Sequence, residues 1–289
     1  MKDLLNRYDY TPQMEELDKK LSGIQQNLEN WMTPANLAAC LGYMDLTTLN
    51  STDTEEKVAA LAQKVNSFKL FYPDYPTPAS ICVYPNLGRS VRNTLTAPRV
   101  NVTVVAGAFP TSQSFPEVKI LECKMALETG ADEIDIVLAL NKFLAGDLAG
   151  AAREIKEIKE VMKNKHLKVI LETGALSDPE KIAAASFLAM EAGADFIKTS
   201  TGKIEPAATP MAAIIMCECI KAYHRKTQKK IGFKPAGGMV TPKDAICYLA
   251  IVESILGKEW LTPELFRLGA SRLANNLLSE LEQKTVSYY

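Results

Sequence analysis

Histidine is nearly absent. The 289 residues contain only His166 and His224, both in polar, lysine-flanked segments expected at the surface, so a histidine-built metal centre is not expected. The six cysteines, Cys40, Cys82, Cys123, Cys217, Cys219 and Cys247, form no C-x-x-C module. Scattered through apolar stretches, they read as reduced core thiols of a cytosolic protein. Cys217 and Cys219 stand two apart in an expected helix and so point in different directions, which disfavours a metal clamp. Charge of one sign is also missing: 33 Lys and Arg against 34 Asp and Glu leave a net charge of −1. No global field draws nucleic acid or an anionic membrane. The first residues, MKDLLNRYDY, lack the apolar core and cleavage site of a secretory leader. No run of about 18 uncharged apolar residues is present to span a bilayer; the apolar segment near Ala250 is broken by Glu253. No G-x-G-x-x-G follows the first strand-like run, which weakens a dinucleotide-binding reading. The expectation is a cytoplasmic protein acting on a small molecule, with no metal and no cofactor.

What the chain does have is alternation. Its hydrophobic fraction of 47% supports a large core. Residues 1–36 are polar, charged and helix-prone, and read as an arm packed outside a main domain of residues 37–289. A helix restarts at Thr33–Ala35, and Leu41–Asp45 begins the first strand-like run. Ser51–Phe68 reads as a helix, opened by Ser51-Thr52-Asp53 with Glu55 and Glu56 in its first turn. Further strand-like runs follow at Ser80–Val83, Val100–Val105, Glu133–Val137, Lys168–Leu171, Phe196–Thr199, Ile231–Pro235 and Phe266–Gly269. Each precedes a helical segment, such as Ala149–Lys163 with Ile155, Ile158 and Met162 at helical spacing. Strict βα alternation with short apolar strands predicts a parallel sheet. Eight units in about 240 residues fit a (β/α)8 TIM barrel better than an open sheet.

In such barrels the C-terminal strand ends carry the site. Here they supply Asp45, Cys82, Asp135, Glu172, Lys198, Lys234, and Gly269 with Ser271. Lysine at the end of an apolar run, as in FIKTSTGK, points into a dry place where charge is costly. Lys198 and Lys234 are one βα unit apart, on strands whose backbones lie about 5 Å apart. At an effective dielectric of 20 two ammonium groups at that separation repel by about 3 kcal/mol, enough to lower one lysine by about two pKa units. A neutral amine near pH 7 attacks a carbonyl. The opposing reading pairs each lysine with a carboxylate, Asp135 and Glu172, and leaves both inert. Asp135 is the first candidate for proton transfer, Asp45 the second unless it caps a turn through Thr47, and Glu172 the third. The turns Thr201-Gly202-Lys203, Ala236-Gly237-Gly238 and Gly269-Ala270-Ser271 offer backbone N–H groups for a phosphate.

Taken in order, MDLTTLN, ICVYP, EIDIV, LKVILETG, FIKTSTGK, GFKPAGG and FRLGAS resemble the successive motifs of the 2-deoxyribose-5-phosphate aldolases, over about Leu41 to Leu278. The resemblance implies a metal-independent class I aldolase that cleaves 2-deoxyribose 5-phosphate to glyceraldehyde 3-phosphate and acetaldehyde. It assigns Lys198 as the Schiff-base lysine and Lys234 as the lysine that lowers its pKa. Asp135 would work with a water in proton transfer, and Asp45 would lie near the substrate hydroxyl. Substrate and phosphate contacts would come from Thr47, Cys82, Thr201, Gly202, Lys203, Gly237, Gly238, Gly269, Ser271 and Arg272. Arg272 stands where many members have a second serine. Some members end in a tail whose last tyrosine reaches the site, which makes Tyr289 a candidate proton relay. The expected partner is a phosphorylated sugar. A homodimer is in keeping with such a barrel, although no stretch identifies an interface. Two rivals remain: a lysine-dependent aldolase for 2-keto-3-deoxy sugar acids, and a non-catalytic barrel that binds sugar phosphates.

Overall fold

The computed structural model describes residues 1–289. Helices α1 (Lys2–Arg7), α2 (Met14–Gln26) and α3 (Pro34–Gly42) precede the first strand. Strands and helices then alternate: β1 (Met44–Thr47), α4 (Glu55–Phe71), β2 (Ser80–Val83), α5 (Gly88–Thr94), β3 (Asn101–Val105), α6 (Pro116–Glu128), β4 (Glu133–Val137). Two helices, α7 (Leu140–Leu144) and α8 (Leu148–Met162), lead to β5 (His166–Ile170), and α9 (Thr173–Leu176) with α10 (Pro179–Glu191) lead to β6 (Phe196–Lys198). Then come α11 (Pro210–Thr227), β7 (Gly232–Lys234), α12 (Pro242–Leu256), β8 (Leu268–Ala270) and α13 (Leu273–Glu282).

All eight strands are parallel, in the order β7-β6-β5-β4-β3-β2-β1-β8. The ring closes where Phe233 bridges Phe266 and Ala236 bridges Gly269. This is a (β/α)8 barrel. The helices start where the sequence offers caps: Thr54, Asp147, Asp178, Thr209 and Thr241 each accept a first-turn N–H through the side chain. Thr241 and Asp244 complete a reciprocal capping box. Boundaries differ from expectation in places. Leu41 belongs to α3, so β1 begins at Met44, and α4 is capped by Thr54 rather than by Ser51-Thr52-Asp53. His166 is not a free surface residue: it opens β5, with Nδ1 3.6 Å from Glu133 Oε1. All six cysteines are buried free thiols.

The N-terminal helices lie on consecutive outer helices. Tyr8 stacks on Phe187 of α10 at 4.4 Å, Lys20 of α2 pairs with Glu218 of α11, and Trp31 donates to Glu253 of α12 at 3.1 Å. No helix is long and apolar enough to cross a membrane.

Candidate active site

Barrel interiors are usually filled by branched apolar side chains. This one is filled by charge. Strand register puts Asp45 beside Ser80 and Gly269, Asp135 beside Lys168, and Lys198 beside Lys234. Asp135 is the hub. Its Oδ2 accepts from Lys198 at 2.9 Å and from Lys234 at 2.7 Å, while its Oδ1 accepts from Lys168 at 3.0 Å. Lys234 also lies 2.6 Å from Asp45 Oδ2. Arg267, just before β8, donates to Asp45 Oδ1 at 2.6 Å and to both oxygens of Glu133 at 2.7 and 3.0 Å. Lys168 completes the contacts to Glu133 at 2.5 Å. Ser80 donates to Asp45, and Thr103 to Glu133, each at 2.8 Å. Lys168, Glu133 and Arg267 were not singled out from sequence. The signal was available, since Glu133 and Arg267 sit two residues before Asp135 and Gly269 and hence on the same strand faces.

Burial and charge then separate the two lysines. Burial lowers Lys198 most; attraction from Asp135 works against it, and repulsion from Lys234 adds to the lowering, so its pKa falls below the ordinary lysine value. Burial also pulls Lys234 down, but Asp135 and Asp45 together overcome it and raise its pKa above that value. Lys198 is thus the easier amine to deprotonate. Of the opposing pairing, the Asp135 part is present, since Asp135 accepts from both lysines, but Glu172, left-handed at φ +55, accepts from the Thr201 amide and hydroxyl and holds neither lysine. Asp45 does not cap a turn through Thr47, whose hydroxyl donates to the Asp45 backbone carbonyl.

The carboxylates give a pH prediction. Burial alone would raise each carboxyl, but the surrounding cations prevail: Asp45 is lowered to about 2, and Glu133 and Asp135 are also held below the usual range. A depressed folded-state pKa stabilises the fold above the unfolded carboxyl value near 4, and that contribution disappears as pH falls towards the folded value. Urea midpoints are expected to be flat from pH 8 to 5 and to drop between about pH 4 and 2, with Asp45 alone accounting for about 2 kcal/mol. An unchanged midpoint at pH 3 would contradict the ion-paired interior.

Above the network opens a cavity of about 570 Å³ at the C-terminal mouth. It is lined by Thr47, Lys198, Thr201, Gly202, Lys203, Gly237, Gly269, Ser271, Arg272 and Tyr289 among others. Gly202 and Gly237 have φ of +75 and +79, and a Cβ on Gly237 would sit 2.8 Å from that of Ala207, so only glycine fits there without strain. Lys203 reaches across to the Leu49 carbonyl at 2.6 Å. Ser271 and Arg272 stand at the start of α13, whose first turn has no side-chain cap. Lys57 and Lys64 of α4 and Asn275 of α13 also line the cavity; these were not foreseen, because nothing in a helix sequence reports how it tilts towards a barrel rim.

Besides Glu172, five sequence candidates stay out of the cavity wall. Asp45, Asp135 and Lys234 lie beneath it in the network. Cys82 is buried against Leu49 and Val105, behind the cavity wall and within reach of the charges of Lys198, Lys234, Asp135 and Asp45. The fifth, Gly238, faces Ala207 and Ala208 instead. Tyr289 stacks on Phe68 at 5.7 Å with its hydroxyl buried and unpartnered.

A parallel barrel whose buried lysines send one amine, that of Lys198, to the cavity wall, backed by a second lysine and a shared carboxylate, has the layout of a lysine-dependent barrel enzyme. The sequence model of the DeoC/LacD family aldolases matches residues 40–249, and the chain belongs to that family. It is 38% identical over 263 residues to the human deoxyribose-phosphate aldolase, covering 86% of this chain and 80% of that one. A provisionally named deoxyribose-phosphate aldolase of Caenorhabditis elegans is 40% identical over 269 residues, 92% of this chain and 88% of the other. A provisionally named deoxyribose-phosphate aldolase structure from Toxoplasma gondii aligns with a TM-score of 0.75 at 25% identity, over 89% of this chain and 97% of that one. The tetrameric deoxyribose phosphate aldolase of Aeropyrum pernix, at 24% identity and a TM-score of 0.68 over 93% and 98%, shares the fold.

Proposed function

We propose that this chain cleaves 2-deoxyribose 5-phosphate reversibly to glyceraldehyde 3-phosphate and acetaldehyde through an imine on Lys198, as a cytoplasmic enzyme of deoxyribose phosphate catabolism. The observation that carries the reading is the position of Lys198: alone among the interior basic groups it lines the cavity, with a pKa lowered first by burial. Its neutral amine adds to the sugar aldehyde, and loss of water gives an imine. The protonated imine accepts the electron pair of the C2–C3 bond as the C3 hydroxyl gives up its proton. Glyceraldehyde 3-phosphate departs, the enamine is protonated at C2, and hydrolysis frees acetaldehyde and the amine. Asp135 Oδ2, 2.9 Å from Lys198, is the group placed to accept and return protons, with Asp45 behind it. The Gly202 and Gly237 turns, Lys203, Ser271, Arg272 and the start of α13 form the phosphate end of the cavity. Holding the phosphate there orients the reacting carbon over Lys198.

Borohydride reduction in the presence of acetaldehyde, followed by intact mass and peptide mapping, tests this reading. A two-carbon adduct on Lys198 is expected. An adduct on Lys234 would reverse the two lysines, and ligand binding without any adduct would favour a sugar-phosphate-binding barrel. Parallel cleavage assays with a 2-keto-3-deoxy sugar acid distinguish the other aldolase class.

Residues 1–36 are read as an arm on the barrel, and self-association belongs to the same proposal. Phe115, Val118, Leu121 and Met125 line one face of α6 and are 49 to 74% exposed. Exposed Glu117 and Lys124, seven residues apart, flank that stripe on one side. A second copy of α6 packed antiparallel about Leu121 would bring each Glu117 to the partner's Lys124, whereas a parallel copy would match like charges. Leu121→Glu is expected to convert a dimer to a folded monomer in light scattering; a wild-type monomer, or a variant of unchanged mass, would reject this face.

A further inference from the structure

We propose that Lys168 is a positioning residue that keeps the Lys198 amine unprotonated, by completing a closed ring of ion pairs from which Lys198 is left out. The inference rests on Lys198 being the nucleophile and adds what holds it in the reactive form.

The ring can be followed pair by pair. Arg267 bridges Glu133 and Asp45. Lys234 bridges Asp45 and Asp135, at 2.6 and 2.7 Å. Lys168 bridges Asp135 and Glu133, at 3.0 and 2.5 Å. At distances of 3.0 Å or less each of these three cations holds two carboxylates and each carboxylate two of the cations, so charge alternates around the circuit and cancels; Lys168 also lies across the ring from Asp45, at 3.6 Å. All six side chains are buried. Lys198 is a fourth basic group with only a share of Asp135 Oδ2, which Lys234 already occupies at shorter distance. Protonating it would place an unmatched charge in a dry interior, which is costly.

The other groups facing Lys168 carry no compensating charge. They are the hydroxyl of Thr103 on β3, 3.4 Å away, and the Phe196 ring on β6 at 5.9 Å. His166 on β5 touches the ring only through Glu133. The repulsion of Lys234 for Lys198 is therefore one part of a larger balance. Lys234, held by two carboxylates, is kept as a permanent cation, and the ring divides the roles of two lysines that share one oxygen.

Opening the ring at different points has opposite effects on Lys198. Lys168→Met leaves Asp135 short of a cation, so Lys198 keeps its proton in that place. The pH midpoint for the initial rate of borohydride-trapped adduct with acetaldehyde is expected to rise by about one to two units. Trapping at pH 7 should fall at least about tenfold and recover at higher pH. Glu133→Gln removes a negative charge instead, and the midpoint is expected to fall by about one unit. Lys168→Arg keeps the cation and should keep the wild-type midpoint. Loss of adduct at every pH with no movement of the midpoint in Lys168→Met would make Lys168 merely structural and overturn the proposal. If Lys168→Met fails to fold by circular dichroism, Glu133→Gln decides: an upward or unmoved midpoint rejects the ring. Absence of any Lys198 adduct in the wild-type protein would sink the aldolase reading itself, and this inference with it.

Discussion

Lys198→Ala is expected to lose turnover of 2-deoxyribose 5-phosphate by roughly 10⁴-fold or more while the barrel stays folded. No neighbouring amine can substitute. Lys234 points at the same Asp135 oxygen but is fully buried and held as a cation by two carboxylates. Lys168 lies deeper still, bonded to Glu133 and Asp135. Lys203, on the far side of the cavity, is engaged with the Leu49 carbonyl. Stability should survive because Lys198 lies at the end of β6 against the open cavity, so truncation enlarges a space that already exists rather than leaving an enclosed void. The substitution also removes a basic group that the interior carboxylates do not need. Thermal midpoints are expected to lie within about 3 °C of wild type, and borohydride should trap no adduct. Cleavage within a few fold of the wild-type rate, with a native circular dichroism spectrum, would remove Lys198 from the chemistry.

Much of this arrangement can be read from the chain because (β/α)8 barrels tie sequence order to position. Consecutive strands are neighbours, so FIKTSTGK and GFKPAGG had to bring Lys198 and Lys234 side by side, and the register confirms the neighbourhood. The ring beneath them was harder to see. Lys168, Glu133 and Arg267 stand at or near strand starts, where a charge ordinarily reads as solvated, and only barrel closure brings β4, β5 and the approach to β8 together. Glu172 and Cys82 stay out of the cavity wall for local reasons. Both follow the rule that strand ends supply the site, but a left-handed backbone turns Glu172 towards Thr201, and Leu49 with Val105 covers Cys82. Strand-end position says where a residue is, and one backbone angle decides where it points.

Asp135→Asn should separate imine formation from turnover, which no other single change in the site is expected to do. The variant keeps shape and loses charge at the hub that contacts three lysines. An asparagine oxygen can still accept a hydrogen bond, but the interior then holds Lys168, Lys234 and Arg267 against only Asp45 and Glu133. Removing one partner of a buried ionic network costs about 3–5 kcal/mol, so the urea midpoint should fall clearly while the fold persists. The surplus positive charge makes protonating Lys198 still less favourable, and the amine remains free to attack. Borohydride should therefore continue to trap a two-carbon adduct on Lys198 at neutral pH. Proton transfer is what fails, because the carboxylate 2.9 Å from Lys198 is gone, and kcat is expected to drop by about 10²–10⁴-fold. Adduct without turnover would place Asp135 in proton transfer. Loss of both in a folded variant would mean instead that Asp135 is needed to form the imine, and near-normal turnover would exclude it from either step.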